Sequence, residues 1–205
     1  MIDLALFGKS LLLGLAIAAP LGPIGTLCIN RTLEKGFAAG VSGGLGTALA
    51  DALYAALAAI GFAAFSGFLT ILDTPLRLIG GAFMLWLGFK SFKIQPTSGA
   101  AKVSARDLLG TMLATFTLTV VNPMTILSFT ALFAGLGLAA NASAAHALLV
   151  VAGVFAGSML WWIILSGGIS MARHRLPGKL AVWISRFSGM LLLAFGLWAL
   201  TTAFV

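Results

Sequence analysis

Two long uncharged stretches of this chain are each interrupted by proline, and the two interruptions fall about a hundred residues apart. The first is Pro20-Leu21-Gly22-Pro23 and the second is Asn122-Pro123. An apolar helix broken inside hydrocarbon leaves backbone N–H and C=O groups without partners, and such breaks persist only where protein or a watery cavity supplies them. Discontinuous helices in corresponding positions of two halves are the sequence pointer to a transport site.

The stretches themselves require a membrane. Of the 205 residues, 60% are hydrophobic and 8% are charged, against about 25% charged in a soluble domain. Charges delimit the apolar segments: Ser10 to Asn30, Gly36 to Leu72 (with Asp51 its only charge), Pro75 to Phe92, Leu108 to Asn141, His146 to Met171, and Ser185 to Val205 with Arg186 near its start. A span needs about 20 apolar residues, so the expected fold class is an all-α integral membrane protein of six transmembrane helices. The first apolar segment lacks a basic flank and a cleavage site, and it reads as a retained helix rather than a signal peptide. The loop between spans two and three is expected at Asp73 to Arg77.

Basic residues alternate from loop to loop. Arg31 and Lys35 follow span one. Lys90, Lys93, Lys102 and Arg106 lie between spans three and four, and Arg173, Arg175, Lys179 and Arg186 between five and six. The intervening loops carry Asp73 and Arg77, or no charge at all. The positive-inside rule puts ten of the twelve Lys and Arg residues in the cytoplasm, leaves Lys9 and Arg77 outside, and places both termini outside. The net charge of +7 is scattered between apolar stretches without a dense patch, so membrane lipid rather than nucleic acid is its expected partner. One cysteine, Cys28, excludes an internal disulfide or a dithiol pair.

The two halves superpose by motif. Pro23 matches Pro123; Gly46, Ala50 and Asp51 match Gly153, Gly157 and Ser158; Gly81 and Gly88 match Gly189 and Gly196. Three spans per half is an odd number, so the second half must be inverted relative to the first, the usual plan of secondary transporters. The expected organisation is one transmembrane domain over 1–205, with repeat one at about 1–93, a cytoplasmic linker at 94–107 and repeat two at about 108–205.

Asp51 is the one acid well inside a span. A carboxylate there costs ~2.5–3.5 kcal/mol on insertion scales, so a substrate ammonium, a proton or a hydroxyl such as that of Thr47 must offset it. Pro20, Gly22 and Pro23 free backbone carbonyls for a cationic group, and the half-helix restarting at Ile24 turns its positive end to a carboxylate. Asn122 and Pro123 offer the same in the second half, with a side-chain amide that both donates and accepts. Ser158, the repeat partner of Asp51, is a further cavity candidate. Trp161 and Trp162 sit near mid-span and read as packing or lipid-facing rather than as a path wall. His146 reads as interfacial and His174 as part of a solvated inner loop. No catalytic or metal-ligand constellation emerges, and no cofactor is expected.

At these residues the chain resembles the lysine-exporter (LysE/RhtB) family of amino-acid exporters. The resemblance runs through Ala19-Pro20-Leu21-Gly22-Pro23, Arg31 to Gly36, Ala39-Gly40, Gly43 to Asp51, Val121-Asn122-Pro123 and Gly157 to Trp162, and covers nearly the whole chain. It implies proton-linked efflux of amino acids or close derivatives across a bacterial inner membrane, with Pro20, Gly22, Pro23, Asp51, Asn122 and Pro123 lining a central site. Leu21 intervenes where many members have Pro-Gly-Pro, and Met124 stands where many have lysine or another polar residue; both departures bear on the substrate rather than the fold.

The expectation is therefore an exporter in which Asp51 meets the substrate amino group and also releases the coupling proton, an antiport. The alternatives are a divalent-cation exporter, disfavoured by a single in-span acid, and a membrane assembly or redox partner, disfavoured by a single cysteine and the lack of a soluble domain. Small-residue faces such as Gly36, Gly40 and Gly44 suit helix packing within one copy or in a homodimer.

Overall fold

The computed structural model describes residues 4–20, 22–60, 62–92, 104–122, 125, 128, 129, 144–173 and 178–203, and those in regular structure are helical. In chain order the helices are α1 (Leu4–Ala18), α2 (Pro23–Lys35), α3 (Phe37–Ile60), α4 (Phe62–Phe92), α5 (Ala105–Val120), α6 (Ala144–Arg173) and α7 (Gly178–Thr202). By length and hydropathy Phe37–Ala59 and Ala144–Ala172 each suffice to cross a membrane, and α1 with α2, bent by 82° at their break, makes a third candidate.

The expected break at Pro20 to Pro23 is present. α1 stops at Ala18, and Gly22 turns back to donate its N–H to the Pro20 carbonyl at 3.0 Å. Pro23 takes the first position of α2, where a missing N–H costs nothing because no carbonyl precedes it to accept one. α2 ends where Gly36 adopts φ 88°, a left-handed conformation that a side chain resists, and returns its N–H to the Thr32 carbonyl. α3 begins at once, which folds α2 back along it.

Two boundaries differ from expectation. Asp73 to Arg77 is not a loop: α4 runs through it, with Pro75 inside the helix, and α3 ends at Ile60 instead. Charge marked the wrong place because Arg77 finds a partner without leaving the helix. Its guanidinium donates to the Thr202 carbonyl at 3.3 Å and closes the C-terminus of α7. At the other end of the chain's midpoint, α5 starts at Ala105, ahead of the expected Leu108, because Ser104 and Asp107 form a reciprocal capping box.

α3 is the centre of the bundle, packed by α2, α5 and α6; α1 lies along α6, and α4 lies along α7. Glycine permits each close crossing. A Cβ on Gly157 would strike the Leu11 carbonyl of α1, and one on Gly44 would strike the Trp162 ring of α6. The crossing of α4 and α7 is reciprocal: a Cβ on Gly81 would stand 2.9 Å from the Gly196 oxygen and one on Gly196 2.9 Å from the Gly81 oxygen, while Gly88 and Gly189 face each other in the same way. Gly40 and Gly44 are thus used within one copy, against Ser166 and Trp162.

The α5 threonines Thr111, Thr115 and Thr119 form a buried stripe. Each hydroxyl donates to the carbonyl four residues back, and Thr115 also donates to Gly43 of α3 at 2.7 Å. One apolar cluster joins Leu27, Met84, Leu87, Leu118, Trp162 and Leu192; another joins Tyr54, Ala55, Phe129, Val150 and Val154. Large apolar side chains such as Leu4, Leu12, Ile79, Leu113, Leu148 and Ile164 face outward, as an acyl-chain solvent requires.

Candidate functional site

The helix break, the middle of α3 and the end of α5 converge on one cavity of about 260 Å³. Pro20, Gly22, Pro23, Asp51 and Asn122 all line it, so five residues singled out from sequence share one space. Pro123 lies outside the described residues. Ser158 does not line the cavity but stands directly behind its acid: the hydroxyl donates to Asp51 Oδ2 at 2.7 Å, with both side chains buried. Thr47 does not serve Asp51; its hydroxyl donates to the Gly43 carbonyl at 3.3 Å.

Each group is held by its own element. Asp51 and Thr47 are one turn apart on α3, so both face the cavity. Asn122 follows the last turn of α5, its N–H bonded to the Thr119 carbonyl and its side-chain Nδ2 donating to Thr125 Oγ1 at 3.0 Å. The N-terminus of α2 lines the same space. Ile24 and Gly25 precede the first intrahelical bond, which runs from the Thr26 N–H to the Gly22 carbonyl, and both line the cavity. Their amides are therefore among the orphan donors of a helix start, where negative charge is favoured.

The sequence did not mark the rest of the wall. Trp162 is buried in the apolar cluster, which keeps the packing role expected of it and overturns the lipid-facing one, and it also lines the cavity, because Gly44 lets its ring lie close against α3. Trp161 is only half-buried. Ile17, Ala18, Phe195, Thr119, Thr125 and Ser128 complete the described lining; their spacing within apolar or threonine-rich runs gave no signal to separate them from core. Among the described lining residues, Asp51 is the single charged one. Among the described residues, no three His, Cys, Asp or Glu side chains come together.

At the end of α2 furthest from the break, Lys35 forms an ion pair with Asp107 of α5, and Ser42 of α3 donates to the Leu108 carbonyl at 2.6 Å. Hydrogen bonds from Lys35 and then from Ser104 hold the Asp107 carboxyl below the usual carboxylate range, at about 2. Beside this pair are polar atoms without partners. Both side-chain atoms of the buried Asn30, and Oε1 of Glu34, have no hydrogen bond; each such group costs ~1–3 kcal/mol.

The family model for LysE type translocators matches residues 15–203. The chain belongs to this family. As a LysE type translocator it is a transporter and not an enzyme. It is 31% identical over 180 residues to the membrane protein YahN of Escherichia coli (strain K12), uncharacterized by name, covering 82% of this chain and 77% of that one. It is 28% identical over 201 residues, 93% of each chain, to YcgF of Bacillus subtilis (strain 168), whose given name proposes amino acid efflux. No solved structure matches this translocator.

Proposed function

We propose that this translocator exports amino acids or close derivatives by secondary-active antiport with protons. The observation that carries the reading is that Asp51 and the α2 N-terminus line one cavity. The substrate ammonium meets the Asp51 carboxylate, and its carboxylate meets the amides of Ile24 and Gly25, helped by Asn122. The YcgF name supports the same substrate class. Because one carboxylate takes either the proton or the ammonium, binding of one displaces the other, which is the condition for antiport.

Two inverted halves supply the motion. In support, α1 packs on α6 as α5 packs on α3, while α3 with α6 and α4 with α7 are each packed on their own repeat equivalents. The Gly81–Gly196 and Gly88–Gly189 contacts exchange partners as a two-fold operation requires. Asp51 touches its repeat equivalent, Ser158, as a residue at the axis does. In this reading the chain has six spans, the site lies midway through the bilayer of a bacterial inner membrane, and both termini are periplasmic. Rocking of one half against the other then exposes Asp51 to each side in turn.

The test is exchange in proteoliposomes. Vesicles loaded with the proteinogenic amino acids are expected to take up a labelled amino acid faster when an imposed pH gradient supplies protons to the opposite face. Absence of any amino-acid exchange discards the reading.

A further inference from the structure

Asn30 is 2% exposed, yet neither its Oδ1 nor its Nδ2 has a hydrogen-bond partner. Four residues on, Glu34 spends Oε2 on Arg31 at 3.4 Å and leaves Oε1 sealed and unpartnered. Residues four apart share a helix face, so two acceptors and one amide donor stand together without partners. Along α2, at about 1.5 Å per residue, Asn30 is ~10 Å and Glu34 ~16 Å from Pro23 at the cavity. Between them Leu27 is buried in the apolar cluster with Met84, Leu87 and Leu192.

Polar atoms sealed away from partners in one conformation are satisfied in another, or by a bound molecule. Two acceptors and a donor match the head of a zwitterion: ammonium on Glu34 Oε1 and Asn30 Oδ1, carboxylate on Asn30 Nδ2. We propose that Asn30 and Glu34 form a second polar station of the transport path, on the cytoplasmic side of the Leu27 seal, which receives the amino-acid head before it reaches Asp51. The inference rests on the export reading and its orientation. The structure is then the state closed to the cytoplasm, and parting of α2 from α4 and α7 opens the station.

Asn30→Leu separates this role from a structural one. Removing an unpartnered buried amide does not harm the closed fold, so the melting temperature is expected to hold or rise while amino-acid exchange falls by ~10-fold or more, the worth of a lost charge-assisted hydrogen bond. Exchange within ~2-fold of the parent would overturn the proposal. If Asn30→Leu does not fold, Asn30→Cys decides. A membrane-impermeant thiol reagent applied from the cytoplasmic face is expected to label it, and a saturating mixture of the proteinogenic amino acids to slow the labelling; Cys28, buried, is the unreactive control. Labelling from neither face, or labelling indifferent to the mixture in a protein that exchanges amino acids, would overturn the station and leave a trapped water as its occupant. If the parent exchanges no amino acid, the export reading falls, whereas cytoplasmic labelling still supports a path through Asn30.

Discussion

Ser158 of α6 donates a 2.7 Å hydrogen bond to the Asp51 carboxylate of α3 across 107 residues of chain. It is the one side-chain donor to that buried acid among the described residues. Ser158→Ala removes it without adding bulk. Initial exchange rates in proteoliposomes are expected to fall by ~10-fold, the worth of a hydrogen bond to a charged group, with the melting temperature lowered only slightly. An unaltered rate would show that Asp51 works without this support.

Helix contact through glycine makes a paired prediction. A Cβ at Gly157 would overlap the Leu11 carbonyl, whereas one at Gly110 meets nothing within 4 Å. Gly157→Ala is expected to destabilise by ~1–3 kcal/mol through overpacking against backbone. Gly110→Ala is expected to be neutral or to stabilise by up to ~1 kcal/mol through helix propensity. Melting temperatures in detergent compare the two directly.

The sequence reached the site further than it reached its walls. Proline breaks and a lone in-span acid carry steep penalties in hydrocarbon, so Pro20, Gly22, Pro23, Asp51 and Asn122 stood out, and all five line one cavity. Trp162 and Phe195 did not stand out, because an aromatic in an apolar helix looks the same whether it faces lipid, core or cavity. The Asp51 partner was legible as a repeat equivalent but not as a hydrogen bond, since the bond depends on how closely α3 and α6 approach. Asp73 and Arg77 misled because α4 runs through both with Pro75 inside it, and Arg77 caps α7 without leaving the helix. Asn30 carries no signal in the sequence, because an amide near an interface is unremarkable until its surroundings prove to lack partners.

The Lys35–Asp107 pair gives a pH dependence of known sign. The Asp107 carboxyl is depressed to about 2 in the folded chain, so its contribution is complete at neutral pH and disappears as pH falls from the ordinary carboxylate value through about 2. The difference in melting temperature between the parent and Asp107→Asn is expected to be largest near neutrality and to shrink on acidification. The pair is partly open to solvent, so the difference is small and salt reduces it. A difference that grows in acid would contradict the assignment.

Asp51 as the sole charged residue of the described lining bears on which amino acids move. A neutral amino acid brings one ammonium for one carboxylate. Lysine or arginine brings a second cation that this lining leaves unpaired, at a desolvation cost worth ~10-fold or more in affinity. In competition assays, leucine-like substrates are expected to displace label well and lysine poorly. Equal displacement would require an acceptor beyond the described lining.

The central measurement is amino-acid exchange by Asp51→Asn in proteoliposomes under an imposed pH gradient, with folding checked by thermal melting. The account predicts a folded protein whose exchange no longer responds to the gradient, because the group that trades a proton for the substrate ammonium is gone. Gradient-driven efflux equal to that of the parent would contradict it.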